Sequence, residues 1–364
     1  MKKVLFISNI PTPYRNDFYN ELGKTVDLTV VYEAEGARNQ GIYFNWDISN
    51  VKNYNAIFLK KGDIEENKIN LKIINWLKIK WDCIFVTNYS YKTELVALLY
   101  LKIHRIPYVM EVDGGNIKQE NIIKAIIKKI LISGAKRYFS PSNQTDKFLK
   151  KYGAKEHQIV RYPFTSLLEK QILKYPICRE EKNNIKKELG IKAEHVIVGV
   201  GQLIYRKGWD ILLSLDQKIE ADIYIIGEGK LRAQYEMLIE ENNLQNIHLV
   251  GFLSNEETTK YYQAADIFVL PTRYDVWGLV INEALANGLP VITTPKCVAG
   301  KELIKDNMNG YLVSTDNSLE MSDKINTLLL DENLRNDMCQ GALKSIEEYT
   351  IENMVEIHKE NLGI

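Results

Sequence analysis

Short runs rich in β-branched and aromatic residues recur between stretches of helical pattern, and they do so in two series. The first covers residues 4–8, 28–32, 83–87, 107–112 and 137–140; the second covers 196–201, 222–226, 247–250, 266–270, 290–294 and 311–313. Strands spaced by helices run parallel, with the helices as crossovers on both faces of the sheet. Two series predict two doubly wound α/β domains, and a chain of 364 residues suits two cores better than one. The polar stretch 179–184, preceded by Pro163 and Pro176, is where a linker is expected. The tail reads as two helices, 334–348 and 351–361, with Thr350 placed to cap the second. The division is therefore an N-terminal domain 1–170, a C-terminal domain 171–345 and a last helical segment 346–364.

Composition excludes several classes. Hydrophobic residues make up 45% and charged residues 26%, which is globular usage. The most apolar stretch, 95–101, is far shorter than the ~20 residues of a spanning helix. Lys2 and Lys3 precede an apolar run, but Asn9, Pro11 and Pro13 end it too early for a signal peptide, so it reads as a first strand. Cys83, Cys178, Cys297 and Cys339 form no CxxC pair, and reduced thiols in a cytoplasm are expected. The net charge of zero hides a split: residues 1–175 carry 28 Lys and Arg against 17 Asp and Glu, a net +11, and the remainder 19 against 30, a net −11. The first half faces something anionic, or the two halves attract each other. No nucleic-acid partner is expected.

The second series opens with Val198-Gly199-Val200-Gly201-Gln202-Leu203-Ile204-Tyr205-Arg206-Lys207-Gly208. A strand runs into a glycine-containing turn and two adjacent cations, then a helix. Small residues let the backbone approach a diphosphate, helix N-termini favour anions, and long cations neutralise its oxygens. The pattern is common, and solvated surface charge explains it equally well. A more specific segment follows: Pro271-Thr272-Arg273-Tyr274-Asp275-Val276-Trp277-Gly278-Leu279-Val280-Ile281-Asn282-Glu283. Asp275 and Glu283 lie eight residues apart around Gly278. A carboxylate on the loop after a strand accepts hydrogen bonds from sugar hydroxyls, and one in the first turns of the next helix grips a ribose diol. Backbone N–H groups near the glycine meet oxygens.

This segment resembles the acid-x7-acid motif of family 4 retaining glycosyltransferases, which have the GT-B fold of two Rossmann-like domains facing a central cleft. The resemblance extends to Gly227-Glu228-Gly229, to Gly251-Phe252 at the stretch that cradles the base, to Gly288-Leu289-Pro290-Val291 and to Asn309-Gly310-Tyr311. It implies that Asp275 meets the donor sugar, that Val276, Trp277, Gly278 and Leu279 offer backbone amides, that Glu283 binds ribose, and that Lys207 meets the diphosphate. It also implies contacts from Gly201, Gln202, Arg206, Gly227, Gly251 and Phe252, and a last helix crossing back to the N-terminal domain. Two positions depart from the pattern. The family usually has Glu where Asp275 stands and Arg where Gln202 stands, and Arg206 is the candidate to supply the missing charge.

The N-terminal half matches more loosely. Asn9, Pro11, Thr12, Tyr14 and Arg15 form a stiff turn after the first strand, a candidate wall for an acceptor pocket or simply a connection. Asn88, Tyr89 and Gly114 are further acceptor-side candidates. In Tyr108-Val109-Met110-Glu111-Val112-Asp113-Gly114-Gly115, Asp113 occupies the place of the family's histidine, where a carboxylate orients the acceptor hydroxyl or supports positive charge on the sugar ring. A plain turn aspartate is the competing explanation. His104, His157, His195, His248 and His358 sit in no such motif and read as structural or exposed. No Asp-x-Asp suited to a metal–diphosphate pair is present on the donor side, so metal-independent activity without a cofactor is expected.

In residues 120–136, Ile122, Ile126 and Ile130 and then Ile123, Ile127 and Leu131 form adjacent rows at helical spacing, with Lys124, Lys128 and Lys129 off them. The favoured reading is a helix packing its apolar face on the sheet; the alternative is a basic amphipathic helix on an anionic membrane surface. Taken together, the resemblance implies a metal-independent, retaining hexosyl- or N-acetylhexosaminyl-transferase. It would use a nucleoside-diphosphate sugar, UDP-sugar favoured, and a saccharide or undecaprenyl-diphosphate-linked acceptor. Its expected setting is bacterial capsule or O-antigen synthesis, in the cytoplasm or on the inner face of the plasma membrane. A catalytically weak nucleotide-sugar-binding protein is the alternative. A two-Rossmann NAD-dependent oxidoreductase is less favoured, because neither first strand leads into GxGxxG with an acid ~20 residues on.

Overall fold

A computed structural model describes residues 1–36, 38–39, 42–43, 50–64, 68–115, 117, 120–215 and 219–363. The chain divides into two compact units, residues 1–166 with 349–364, and residues 167–348.

The first unit runs β1 (Lys3–Ser8), α1 (Pro13–Gly23), β2 (Asp27–Tyr32), β3 (Arg38–Asn39), β4 (Ile42–Tyr43), β5 (Asn55–Phe58), α2 (Ile73–Leu77), β6 (Cys83–Val86), α3 (Lys92–Ile103), β7 (Val109–Glu111), α4 (Ile122–Ile132), β8 (Arg137–Ser140), α5 (Asn143–Lys151) and β9 (Ile159–Arg161). Its seven-stranded sheet has the order β5-β2-β1-β6-β7-β8-β9, every pair parallel. In β1, Val4, Leu5, Phe6 and Ile7 are all buried. Helices on both faces leave no solvent side, so the strand is apolar without alternation. Each such side chain contributes about 1.5–3 kcal/mol on burial. Phe6 stacks on Phe85 of β6 at 4.3 Å between ring centroids.

The second unit runs α6 (Arg179–Glu188), β10 (Val196–Val200), α7 (Trp209–Leu213), β11 (Asp222–Ile226), α8 (Arg232–Glu241), β12 (Ile247–Gly251), α9 (Asn255–Ala264), β13 (Ile267–Leu270), α10 (Leu279–Ala286), β14 (Val291–Thr293), α11 (Val298–Leu303), β15 (Gly310–Leu312), α12 (Ser318–Leu330) and α13 (Glu332–Ile346). Its six strands, also all parallel, take the order β12-β11-β10-β13-β14-β15. The two Rossmann-like α/β sheets expected from the alternation are both present.

The chain then closes with α14 (Ile351–Leu362), which belongs to the first unit. Thr350 caps it by accepting from the Asn353 amide at 3.1 Å. Arg137 donates to the Asn361 carboxamide and Lys2 to the Leu362 carbonyl, fixing its C-terminal end.

Three expectations change. The stretch 179–184 is not a linker but the start of α6, because Lys182 and Lys186 reach the buried Asp266 carboxylate at 3.1 and 3.6 Å. The edge strands β5 and β9 escaped notice, since an edge strand is short and half-buried and lacks the apolar run of a central one. Most of α4 is not packed on the sheet: Leu131 and Ile132 are buried, whereas Ile122, Ile123, Ile126, Ile127 and Ile130 are 49–78% exposed. Among the described residues, no helix is long and apolar enough to cross a membrane.

Asp266 also accepts from the Val196 amide at 3.0 Å. Burial opposes its ionisation, but His195, Lys182 and Lys186 hold its pKa well below the usual carboxylate range. A depressed pKa gives stability that is present above the unfolded value of about 3.9 and is lost as pH falls toward the folded one. Asp266→Asn is therefore expected to destabilise the protein by about 3–5 kcal/mol at pH 7. In denaturant titrations the gap between variant and wild type should hold from neutral pH down to mildly acidic pH and close below about pH 4.

Candidate donor site and acceptor-side cluster

In an open parallel sheet, ligands meet the C-terminal strand ends where the strand order reverses. In the second unit that point lies between β10 and β13, because β11 lies on the other side of β10. The loop after β10 and the loop after β13 are held to each other there. Arg273 and Tyr274 amides donate to the Arg206 carbonyl at 2.8 and 3.4 Å, and Thr272 Oγ1 donates to the same oxygen at 2.8 Å. Gly208, at φ 73°, passes so close that a Cβ would meet the Pro271 carbonyl oxygen at 2.1 Å.

The two loops bring three expected residues together. Lys207 Nζ donates to Asp275 Oδ2 at 2.6 Å, both groups being buried, and Arg206 Nη1 lies 3.4 Å from Asp275 Oδ1. Burial works against the Asp275 charge, yet the Lys207 and Arg206 cations outweigh it and lower its pKa. Within this trio two cations face one carboxylate, a local excess of one positive charge. Arg206 is partly exposed and also donates to the Tyr274 carbonyl at 3.2 Å; a guanidinium has five N–H donors, so its donor capacity exceeds these contacts.

Gly278 joins Asp275 to α10 in a left-handed conformation, φ 101° and ψ 60°. In the first helical turn the Ile281 amide donates to the Gly278 carbonyl at 2.9 Å, while the Leu279 and Val280 amides precede any acceptor that the helix itself offers. Glu283 lies on the second turn and accepts from Tyr262 Oη at 3.0 Å. Among the other expected donor contacts, Gly201 is bound to the Ile226 carbonyl and Gly227 to the Gly251 carbonyl, at 2.9 and 2.8 Å. These glycines therefore hold the loops after β10, β11 and β12 against one another. Gln202 gives its carbonyl to Trp209 Nε1 at 2.8 Å. Phe252 and Val276 are exposed, whereas the Trp277 ring is buried and donates to Asn282 at 2.9 Å, so Trp277 can offer a ligand only its backbone.

Two supports were not read from the sequence. Arg273 grips Asp210 with two bonds at 2.8 and 2.6 Å, binds Asp316 at 2.7 Å and covers the Tyr205 ring at 4.2 Å. Its partners lie 63 and 43 residues away in sequence, with no spacing signal between them. Tyr262 on α9 reads as a core aromatic; burial and the Glu283 charge raise its phenol pKa well above the usual value.

In the first unit the strand order reverses at β1, between β2 and β6. Asn9, Pro11 and Thr12 follow β1, and Asn88 and Tyr89 follow β6. Asn9 and Asn88 use their carboxamide oxygens in local turns, and Tyr89 stacks on Phe148. Thr12 makes no side-chain cap, while Pro13 opens α1 with the φ a helix needs. Gly114 follows Asp113 on the loop after β7 and is half-buried.

Arg15 is buried and bridges Glu111 and Asp113, so its guanidinium is engaged by the protein itself. Tyr14 Oη donates to Asp113 at 3.2 Å. Glu111 also accepts from Tyr162 Oη at 3.4 Å and lies 3.3 Å from His358 Nε2. Burial opposes the Glu111 charge, but Arg15 and then His358 hold its pKa down to about 2. His358, expected from the sequence to be structural or exposed, is buried at the centre of the cluster.

Gly278→Ala is expected to destabilise the fold by about 2 kcal/mol or more, since its φ is foreign to an L side chain. The new Cβ would also stand 2.5 Å from Cys297 Sγ. A melting curve should show a drop of about 4 °C or more.

Residues 181–345 match the sequence model of the family described as Glycosyl transferases group 1. A Methanocaldococcus jannaschii protein named uncharacterized glycosyltransferase MJ1178 is 26% identical over 74% of this chain and 72% of its own. The Campylobacter jejuni N,N'-diacetylbacillosaminyl-diphospho-undecaprenol alpha-1,3-N-acetylgalactosaminyltransferase is 24% identical over 74% of each chain. The solved structure of Anabaena Alr3699/HepE in complex with UDP and glucose superposes with a TM-score of 0.76 at 16% identity, covering 100% of both chains, and shares the GT-B fold. Residues 181–345 thus match the Glycosyl transferases group 1 family model, and over about three quarters of its length the chain is similar to proteins named as glycosyltransferases.

Proposed function

We propose that the chain is a retaining glycosyltransferase of family 4 type. Its second unit binds a nucleoside-diphosphate sugar, UDP-sugar favoured, and its first unit binds a saccharide acceptor carried on a lipid diphosphate. The observation that carries this reading is the Lys207–Asp275–Arg206 contact at the β10/β13 switch point, inside the matched domain. Lys207 and Arg206 neutralise the diphosphate, the α10 N-terminus adds its partial positive charge, and Asp275 meets the sugar hydroxyls. Glu283, aimed by Tyr262, takes the ribose diol, and the exposed Phe252 ring lies against the base. The related fold that holds UDP and glucose supports the donor class, and the Campylobacter relative's name supports a lipid-diphosphate acceptor.

In the transfer step, the bond from the sugar's anomeric carbon to the β-phosphate oxygen breaks. A bond from the acceptor hydroxyl oxygen forms on the same face. The hydroxyl proton goes to the departing phosphate oxygen, and the products are the glycoside and the nucleoside diphosphate. Charge on the leaving group is met by Lys207 and Arg206, so no divalent ion is required. With UDP-sugars and a lipid-linked acceptor analogue, NMR of the product should show the anomeric configuration of the donor, and EDTA should leave the rate within about twofold, well below the ~10²–10³ loss that removing a charge-stabilising group causes. An inverted product contradicts the reading.

The five exposed isoleucines of α4, with Lys124, Lys128 and Lys129 on the same helix, support attachment to an anionic membrane surface in polysaccharide assembly. Lys128 is paired with Glu120 at 2.7 Å, so Lys124 and Lys129 carry most of the attraction. Sedimentation with phosphatidylglycerol vesicles should fall about tenfold in Ile126→Glu/Ile130→Glu, and about thirtyfold for Lys124→Gln/Lys129→Gln at low salt, at about 1 kcal/mol per surface lysine. Unchanged binding in both removes the membrane from the account.

A further inference from the structure

The loop after β13, which carries Asp275, rests on the loop after β14, and the contacts between them set which way its peptides face. The Asp275 amide donates to the Lys296 carbonyl at 3.1 Å. Two residues on, the Trp277 carbonyl accepts from the Ala299 amide and from the Cys297 thiol, each at 2.9 Å. At the start of the loop, Thr294 Oγ1 donates to the Thr272 carbonyl at 2.6 Å. Thr272, Thr294 and Cys297 are all fully buried, so water does not compete for these ties.

A trans peptide is planar and points its C=O and N–H in opposite directions. Among the described residues no peptide is cis. The Tyr274–Asp275 peptide turns its N–H to the loop after β14, so its carbonyl faces the other way, where Thr272 Oγ1 and Arg206 Nη1 meet it at 3.1 and 3.2 Å. The Trp277–Gly278 peptide is reversed. Its carbonyl is held against Cys297 and Ala299, so the Gly278 N–H faces away from them. Among the described residues no acceptor meets that N–H.

The thiol suits this task in two ways. Burial, with the Asp275 charge adding to it, pushes its pKa up to about 12, so at neutral pH it keeps its hydrogen and donates. It also fills the space beside Gly278, where a Cβ would stand 2.5 Å from Cys297 Sγ. The thiol and the bare glycine are therefore complementary.

We propose that Cys297 is a positioning residue of the donor site: its thiol, with the Ala299 amide, holds the Trp277–Gly278 peptide so that the Gly278 N–H is preset to donate to the β-phosphate of the nucleotide. This rests on the donor-site reading given above. In a nucleoside-diphosphate sugar the phosphates lie between sugar and ribose, and Gly278 lies between Asp275, assigned to the sugar, and Glu283, assigned to the ribose. It is three residues from the first and five from the second, which places it at the phosphate next to the sugar. A donor fixed before binding meets the charge that collects on the leaving phosphate without rearranging at that moment.

Titration calorimetry on the full chain with UDP and with UMP, which lacks the β-phosphate, tests this. Cys297→Ala should weaken UDP about fivefold, as for one net hydrogen bond, because the Ala299 amide still holds the carbonyl. UMP should bind within twofold of wild type. Cys297→Ser keeps a donor and should return UDP to within twofold. If Cys297→Ala binds UDP as wild type does, the positioning role falls. Equal weakening of UDP and UMP means that Cys297 only supports the fold, and the proposal fails. So does a Cys297→Ser variant as weak as Cys297→Ala, since the hydrogen bond is then not the cause. Lys207→Met separates this failure from that of the donor reading. If it weakens UDP while Cys297→Ala does not, the donor site stands without the positioning role; if neither variant changes UDP binding, both fall.

Discussion

The buried contact between Lys207 and Asp275 is what the second unit is arranged to make. The two residues come from loops after different strands, 68 positions apart, and meet only because β10 and β13 are neighbours at the point where the strand order reverses. Neither charge is stable alone in that environment, since removing one partner of a buried pair costs about 3–5 kcal/mol. The surrounding bonds confine the two loops to one geometry: three donors on the Arg206 carbonyl, the Arg273 clasp on Asp210 and Asp316, and the close passage of Gly208 beneath Pro271. A diphosphate bound as proposed would meet cations already in position, so little ordering would remain to be done on binding.

The first unit solves a similar problem with a different set of charges. Its switch point places Arg15 between Glu111 and Asp113, and the last helix adds His358 from a position 247 residues beyond Glu111. The returning helix supplies the His358 ring against Glu111 as well as apolar area, and the residues that hold its ends, Thr350, Lys2 and Arg137, fix where that ring falls.

Legibility in the sequence followed the range of the interactions. The central strands were readable because burial on both faces makes a strand such as β1 a continuous apolar run, whereas β5 and β9 at the sheet edge carry no such run. The spacing of Asp275 and Glu283 was readable because it lies within one loop and one helix. Lys207 was readable for the same reason, close after its strand. Arg273 and His358 were not, because their partners are distant in sequence and the meaning of each residue is set by topology. The 179–184 stretch misled because a polar run reads alike as linker or exposed helix until Asp266 is seen to anchor two of its lysines. The isoleucine rows of α4 misled in the opposite way: helical periodicity shows that an apolar face exists, and it does not say what covers it.

The central claim is that Lys207, Asp275 and Glu283 serve one nucleotide, and titration calorimetry with UDP tests it most directly. The account predicts that Glu283→Gln and Lys207→Met each weaken UDP binding at least tenfold, in line with about 1.5 kcal/mol or more for a lost charged hydrogen bond, with the circular dichroism of both variants unchanged. If folded Glu283→Gln and Lys207→Met bind UDP within twofold of wild type, these residues do not share a nucleotide and the donor site lies elsewhere.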